Sequence, residues 1–172
     1  MTSMPSIPRS VAVEELAIRH SHEERLIAFT LDGHVLFRRS GGVDNVDITE
    51  EDRAKLLSGP AIVTHNHAAD VSFSIRDMGM ACSCDIHVLR AVSPKFVHTL
   101  KSPQGGWGER QCEALFARGK EVEAVVTAEL RAAVDARELT PGRAHEEWWH
   151  RVWTRLAAEF HFGYWRESLS PG

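Results

Sequence analysis

The segment AIVTHNHAADVSFSIRD, residues 61 to 77, predicts a strand that leads into a helix. Its first residues, AIVTH, are apolar and β-branched, which is typical of a short buried strand. Residues two apart in an extended chain point the same way, so His65 and His67 can direct both imidazoles to one point. Ser74 and Asp77 have the spacing of a capping box, which begins a helix. The two histidines therefore lie at the junction between the strand and the helix.

Asp77 permits two interpretations. Neutral imidazole is the commonest zinc ligand, and a catalytic zinc takes three protein ligands while its fourth position stays open for water. Asp77 can supply the third ligand beside His65 and His67. In the alternative interpretation it only closes the capping box with Ser74, and the histidines belong to a solvated loop. The residues alone leave both interpretations open.

Strand and helix signals extend from this segment in both directions. Asp32-Gly33 predicts a tight hairpin turn, Thr49 a helix start, and Gly59-Pro60 a helix end. The predicted strands are residues 25–31, 34–39, 43–48, 61–65, 86–92 and 95–101, and the predicted helices among them are 50–57 and 74–84.

The last third of the chain has a different pattern. Beyond Gly108 the composition changes to Ala, Glu, Arg and Leu, and apolar residues recur at near-helical intervals. We expect one long helix to about Arg137, a break at 140–142, and a second helix over 146–160 that stops at Gly163.

These signals predict an α/β fold in one domain, residues 1–172. Residues 20–105 are expected to form a mixed β-sheet with helices on both sides, which ends at about Pro103. Residues 106–172 are expected to add a helical extension that packs on this core and shapes a substrate cleft. An apolar content of 43% is sufficient for a continuous core.

Composition excludes several classes of partner. The net charge of −4 argues against a nucleic-acid partner, because such proteins usually carry a dense basic face. No apolar run approaches the ~20 residues that span a bilayer, and no signal peptide pattern is present. The three cysteines cannot all pair with one another, which fits a reducing compartment. We expect a cytoplasmic protein that does not bind membranes.

The pattern of a few separated residues resembles the motif of the JAMM (MPN+) metallopeptidase superfamily. The pattern H-N-H at 65–67 with S-x-x-D at 74–77, on a strand that leads into a helix, is similar to the RadC-like branch. In that branch a glutamate lies eight residues before the aspartate of a strand-ending Leu-Asp pair, and Glu24 stands eight before Asp32. The resemblance covers about residues 20–101 and implies a JAMM-like (cytidine-deaminase-like) sheet.

The resemblance also implies a reaction. It makes His65, His67 and Asp77 the ligands of one Zn²⁺, Glu24 the general base, and Ser74 the residue that stabilises the oxyanion. Zinc lowers the pKa of its bound water to about 7, so Glu24 would take a proton from that water and return it to the leaving amine. The implied activity is hydrolysis of an amide or isopeptide bond in a protein or peptide.

Two features depart from the family pattern. Ala68 stands where family members usually have proline, and the nine residues between His67 and Asp77 are one fewer than usual. The shorter loop allows two alternatives. In the first, Asp70 replaces Asp77 as the third ligand, and in the second the pocket binds no metal. A non-catalytic binding module that keeps the fold, as metal-free relatives in the superfamily do, is therefore an alternative function, and a phage or toxin setting is open because similar stretches occur in such proteins. A hydrolase that acts on a non-peptide bond is another alternative function.

Overall fold

The computed structural model describes residues 3–43 and 45–169. Its elements are, in chain order, α1 (Arg9–Ile18), β1 (Arg25–Thr30), β2 (Val35–Ser40), α2 (Glu50–Leu57), β3 (Ala61–Asn66), α3 (Ile75–Ser83), β4 (Val88–Val92), β5 (Phe96–Lys101), α4 (Glu109–Asp135), α5 (Pro141–Phe160) and β6 (Gly163–Ser168).

The strands form one mixed sheet in the order β2-β1-β3-β4-β5-β6. β3 and β4 pair in parallel through the α3 crossover, and the other neighbouring pairs are antiparallel. All six residues of β3 are buried, as expected for a central strand that is covered on both faces. The predicted α/β class is confirmed, and the residues that the structure describes form a six-stranded mixed sheet and five helices.

Helix α1 covers one face of the sheet. Val11 and Ile18 join an apolar cluster with residues of four central strands. Between them, Glu15 accepts hydrogen bonds from Arg90 of β4 at 2.6 Å and from Thr64 of β3 at 2.9 Å. Because Glu15 and Arg90 are both at least nine-tenths buried, each charge depends on the other for compensation. This ion pair fixes α1 against the centre of the sheet.

The other four helices cover the opposite face, where the larger apolar cluster lies. Helices α4 and α5 form an antiparallel hairpin whose inner side includes Leu115, Val126, Trp153 and Leu156. Helix α5 begins at Pro141, earlier than predicted, because Thr140 caps it and proline is favoured in the first turn. Within residues 3–43 and 45–169, no helix combines the length and the apolar character needed to cross a membrane.

The predicted strand at 43–48 is wrong for the residues that the structure describes, 43 and 45–48, which are irregular. The Gly42 amide donates to the Asn45 carbonyl at 2.8 Å, which closes a turn. A Cβ on Gly41 would lie 1.8 Å from the same carbonyl oxygen, so this turn requires glycine. Asp44 lies outside the described residues.

The prediction that the sheet ends at about Pro103 is also wrong. Strand β6 follows α5 directly and pairs antiparallel with β5 from Phe96↔Ser168 to Lys101↔Gly163. Residues 106–172 are therefore not a purely helical extension, because they supply an edge strand of the sheet. Gly163, taken as a helix stop, is the first residue of that strand.

Candidate metal centre

Four side chains that can bind a metal converge where β3 ends. One ligand atom each from Glu24, His65, His67 and Asp77 lies within 4.8 Å of the others. His65 Nε2 is 2.9 Å from His67 Nε2 and 3.3 Å from Asp77 Oδ1, and His67 Nε2 is 3.6 Å from Asp77 Oδ2. Two ligands at about 2.1 Å from one tetrahedral Zn²⁺ lie about 3.4 Å apart. The spacing of the three predicted ligands thus fits a single ion of this size.

The centre is shielded from solvent. His65 is fully buried, and Glu24 and Asp77 are each only 9% exposed. Two carboxylates in one buried pocket repel each other and lose hydration unless cations compensate them. A divalent ion held by these residues would supply that compensation. The burial therefore favours a metal site over a chance cluster of exposed acids.

The end of β3 places both imidazoles on the same side. Although the strand ends at Asn66, the His67 amide donates to the Val92 carbonyl at 2.9 Å and so extends the ladder with β4 by one residue. His65 and His67 are consequently two residues apart in extended chain, as the sequence predicts. His67 Nδ1 lies 3.2 Å from the Val71 carbonyl. This contact uses the Nδ1 proton and leaves Nε2 free to bind metal.

Asp77 fulfils both roles that its sequence position suggests. Its Oδ2 accepts hydrogen bonds from the Ser74 amide at 2.6 Å and the Ser74 hydroxyl at 2.8 Å, which completes the capping box of α3. Its Oδ1 faces His65. A carboxylate has enough lone pairs for both tasks. The cap therefore holds the carboxylate in place for the imidazoles.

Asp70, the alternative ligand, lies outside the group of four. Its Oδ1 accepts a hydrogen bond from the Lys95 amide at 2.8 Å, and its Oδ2 is 3.2 Å from Lys95 Nζ. Lys95 Nζ also binds Glu146 of α5 at 2.7 Å. Asp70 thus attaches the loop after His67 to Lys95, directly before β5, and through Lys95 to α5, and it does not complete the candidate metal pocket.

The C-terminal elements hold the loop between His67 and Ser74. Trp153 Nε1 donates to the Phe73 carbonyl at 2.7 Å. The Tyr164 hydroxyl of β6 lies 2.9 Å from Ser72 Oγ and 3.0 Å from His150 Nδ1. Helix α5 and strand β6 therefore fix the short loop that connects two of the candidate ligands.

Trp153→Phe should lower both stability and metal affinity. The substitution leaves the buried Phe73 carbonyl without its donor, at a cost of about 1–3 kcal/mol in the free energy of unfolding. Trp107→Phe is a matched control, since Trp107 Nε1 donates to the buried Ile86 carbonyl at 3.1 Å, away from the site. Urea unfolding and zinc titration of both variants check this. An equal loss of zinc affinity in the two variants would contradict a role for Trp153 in the loop.

The charges of the pocket alter three pKa values. Burial raises the pKa of Glu24. The nearby Asp77 carboxylate raises it further, whereas the His65 and His67 imidazoles lower it but do not outweigh the burial. Burial opposes the ionised form of Asp77, but His65 and His67 outweigh it and hold the Asp77 pKa well below 3.8. Burial also opposes a charged His67, and the Asp77 carboxylate overcomes this and raises the His67 pKa above 6.5.

Zinc affinity should therefore fall as the pH drops below the raised pKa of His67. Above that pKa the ring is neutral and binds metal directly, whereas below it the metal must displace a proton. The affinity then falls about tenfold per pH unit for each proton displaced. Asp77 stays ionised throughout, because its pKa lies well below 3.8. Zinc titrations from about pH 8 to about pH 5 check this, and a constant affinity would contradict it.

A cleft of about 510 Å³ opens onto the centre. Its lining includes Glu24, Ser74 and Asp77 together with Arg76 and Trp149. A larger cavity of about 1580 Å³ lies at the opposite end of the sheet, between the C-terminal ends of α2 and α5, and none of the four metal-binding residues lines it. The candidate metal centre is therefore reached from solvent through the smaller cleft.

Two residues of this site carry no clear signal in the sequence. Trp149 of α5 is half-buried and lines the cleft. Asn66 is the middle residue of H-N-H, and its position between two predicted ligands is the one feature that could have drawn attention to it.

Comparison of the chain with protein family models, with curated proteins and with solved structures finds no match.

Proposed function

We propose that this chain is a zinc-dependent hydrolase of the JAMM type that cleaves an amide or isopeptide bond in a protein or peptide. The observation that carries the proposal is the convergence of Glu24 with His65, His67 and Asp77 within 4.8 Å. Two imidazoles and one carboxylate are a common ligand set of hydrolytic zinc sites, which keep one position open. The motif resemblance to the RadC-like branch and the mixed sheet support the same conclusion.

Glu24 is suited to act as the general base. A Zn²⁺ at this site supplies a Lewis acid and lowers the pKa of a coordinated water to about 7. Burial raises the pKa of Glu24, so the carboxylate is a better proton acceptor near neutral pH than an exposed one. Glu24 takes a proton from the attacking water and passes it to the leaving nitrogen.

Ser74 is suited to stabilise the negative charge on the substrate oxygen. Its hydroxyl donates to Asp77 Oδ2 at 2.8 Å, and its amide donates to the same oxygen at 2.6 Å. When the hydroxyl turns towards the substrate carbonyl, the amide still holds Asp77 in place. Ser74 can therefore donate to the developing oxyanion without loss of the ligand geometry.

The cleft fits a peptide better than a polyanion. Its walls combine the apolar side chains of Val46, Met80 and Trp149 with an ion pair between Arg76 and Asp47. A site for a nucleic-acid backbone would instead present unpaired basic residues in a row. A peptide segment offers both apolar and polar groups to such walls.

Elemental analysis and a hydrolysis assay test the proposal together. Protein purified without chelator and dialysed against zinc should retain about one zinc per chain. The loaded protein is then incubated with an internally quenched peptide library and with isopeptide-linked peptides. Chelator-sensitive cleavage is expected. A chain that takes up no zinc, or that binds zinc and cleaves neither set, would contradict the proposal and favour a binding module.

A further inference from the structure

We propose that Asn66 is a positioning residue that holds Glu24 beside the metal centre. The inference rests on the proposed function, because that function makes Glu24 the base. It assigns a task to the one residue of H-N-H that is not a ligand. The contacts of the Asn66 side chain carry it.

The side-chain amide of Asn66 takes the place of a backbone pair at the point where β1 and β3 separate. The β1–β3 ladder ends at the pair Leu26↔His65. One residue further, Asn66 Oδ1 accepts a hydrogen bond from the Arg25 amide at 2.8 Å, and Nδ2 donates to the carbonyls of Ser21 at 3.1 Å and Glu23 at 3.2 Å. These three bonds bind the backbone on both sides of Glu24.

The backbone of Glu24 is also paired on its other side. Its amide donates to the Gly42 carbonyl at 2.8 Å, and its carbonyl accepts from the Gly41 amide at 2.9 Å. No described residue donates a hydrogen bond to the Glu24 carboxylate itself. The location of the carboxylate therefore depends on a backbone segment that lies between the 41–42 turn and Asn66.

The chemistry of position 66 is specific. The contacts need one acceptor and two donors on a short side chain that is 1% exposed, and asparagine provides all of them. Aspartate lacks the donors, and serine lacks the reach. Because side chains alternate along β3, His65 and His67 point to one face while Asn66 points to the other, towards residues 21–25. Three consecutive residues thus place both the ligands and the base.

Amide hydrogen exchange of zinc-loaded Asn66→Ala tests this without reference to activity. The Glu24 amide bonds to Gly42, which the substitution does not touch, yet its exchange should become about tenfold faster or more once the segment loosens. Zinc content should not change. Thr64→Val is the matched control, since it removes a buried hydrogen bond from the same strand, to Glu15, and should leave Glu24 protected. Unchanged protection of Glu24 in Asn66→Ala would overturn the proposal.

Kinetics give the second measurement. Asn66→Ala should lower kcat by about tenfold to 100-fold with little change in KM, because a base displaced by about 1 Å loses its geometry. Asn66→Asp, which keeps the shape and the acceptor, serves if Asn66→Ala does not fold, and should show the same loss. Wild-type kcat in either variant would overturn the proposal. If wild-type zinc protein cleaves no peptide, the proposed function fails, whereas the exchange measurement still decides the role of Asn66.

Discussion

Glu24→Gln should lower kcat of the zinc-loaded protein by about 10²- to 10⁴-fold while the zinc content stays unchanged. Glutamine has nearly the same shape as glutamate, so the backbone of residues 21–25 keeps its contacts with Asn66. The amide cannot accept a proton from water at neutral pH, and the proposed base is lost. The three proposed ligands, His65, His67 and Asp77, are not altered.

Glu23→Gln is the matched control for this experiment. Glu23 is adjacent in the chain and exposed, whereas Glu24 is 9% exposed and faces the ligands. The control should keep wild-type kcat. Zinc content by elemental analysis and kcat from peptide hydrolysis check both variants. Full activity in Glu24→Gln, or an equal loss in both variants, would show that another group takes the proton.

Most of the sheet could be predicted because its strands carry local signals. The hairpin turn at Asp32-Gly33 and the apolar run at 61–65 each specify an element within a few residues, and both lie where the pattern places them. The helix starts at Thr49 and Ser74 are confirmed by complete capping boxes. These features depend on neighbours in the chain, not on tertiary contacts.

Helix α1 and strand β6 could not be found in the same way. The buried side of α1 consists of Val11, Glu15 and Ile18, so a charged residue stands in the middle of its apolar stripe. No side chain caps its start. Glu15 is tolerated there because Arg90, far along the chain, compensates its charge. Strand β6 begins three residues after α5 ends and is stabilised by pairing with β5.

The candidate site shows the same division between local and distant information. The spacing of His65 and His67 alone suggested a common point, whereas the sequence left Asp77 open between a metal ligand and a helix cap. The family resemblance was needed to single out Glu24, whose distance from Asp32 has no metal-binding meaning by itself. Nothing local indicated that Asn66 binds residues 21–25, since that contact depends on where β1 leaves β3.

Asp77→Asn and Ser74→Ala should separate the two functions of the capping box. Asparagine keeps an oxygen that can accept from the Ser74 amide, so the cap of α3 largely survives. It removes the charge that faces the imidazoles, and zinc affinity should fall by about 100-fold or more. Ser74→Ala removes the acceptor for the Asp77 amide and should cost about 1 kcal/mol of stability, with zinc still bound.

Zinc competition with a chromophoric chelator and thermal unfolding of the metal-free proteins measure the two effects. The titration is made at one fixed pH of about 8 for all variants, because proton competition at His67 weakens as the pH rises. The expected results are opposite: Asp77→Asn loses affinity with little change in metal-free stability, and Ser74→Ala loses stability with little change in affinity. Wild-type affinity in Asp77→Asn would reduce Asp77 to a helix cap. The pocket would then have two imidazoles and Glu24, and Glu24 would be a ligand instead of a base.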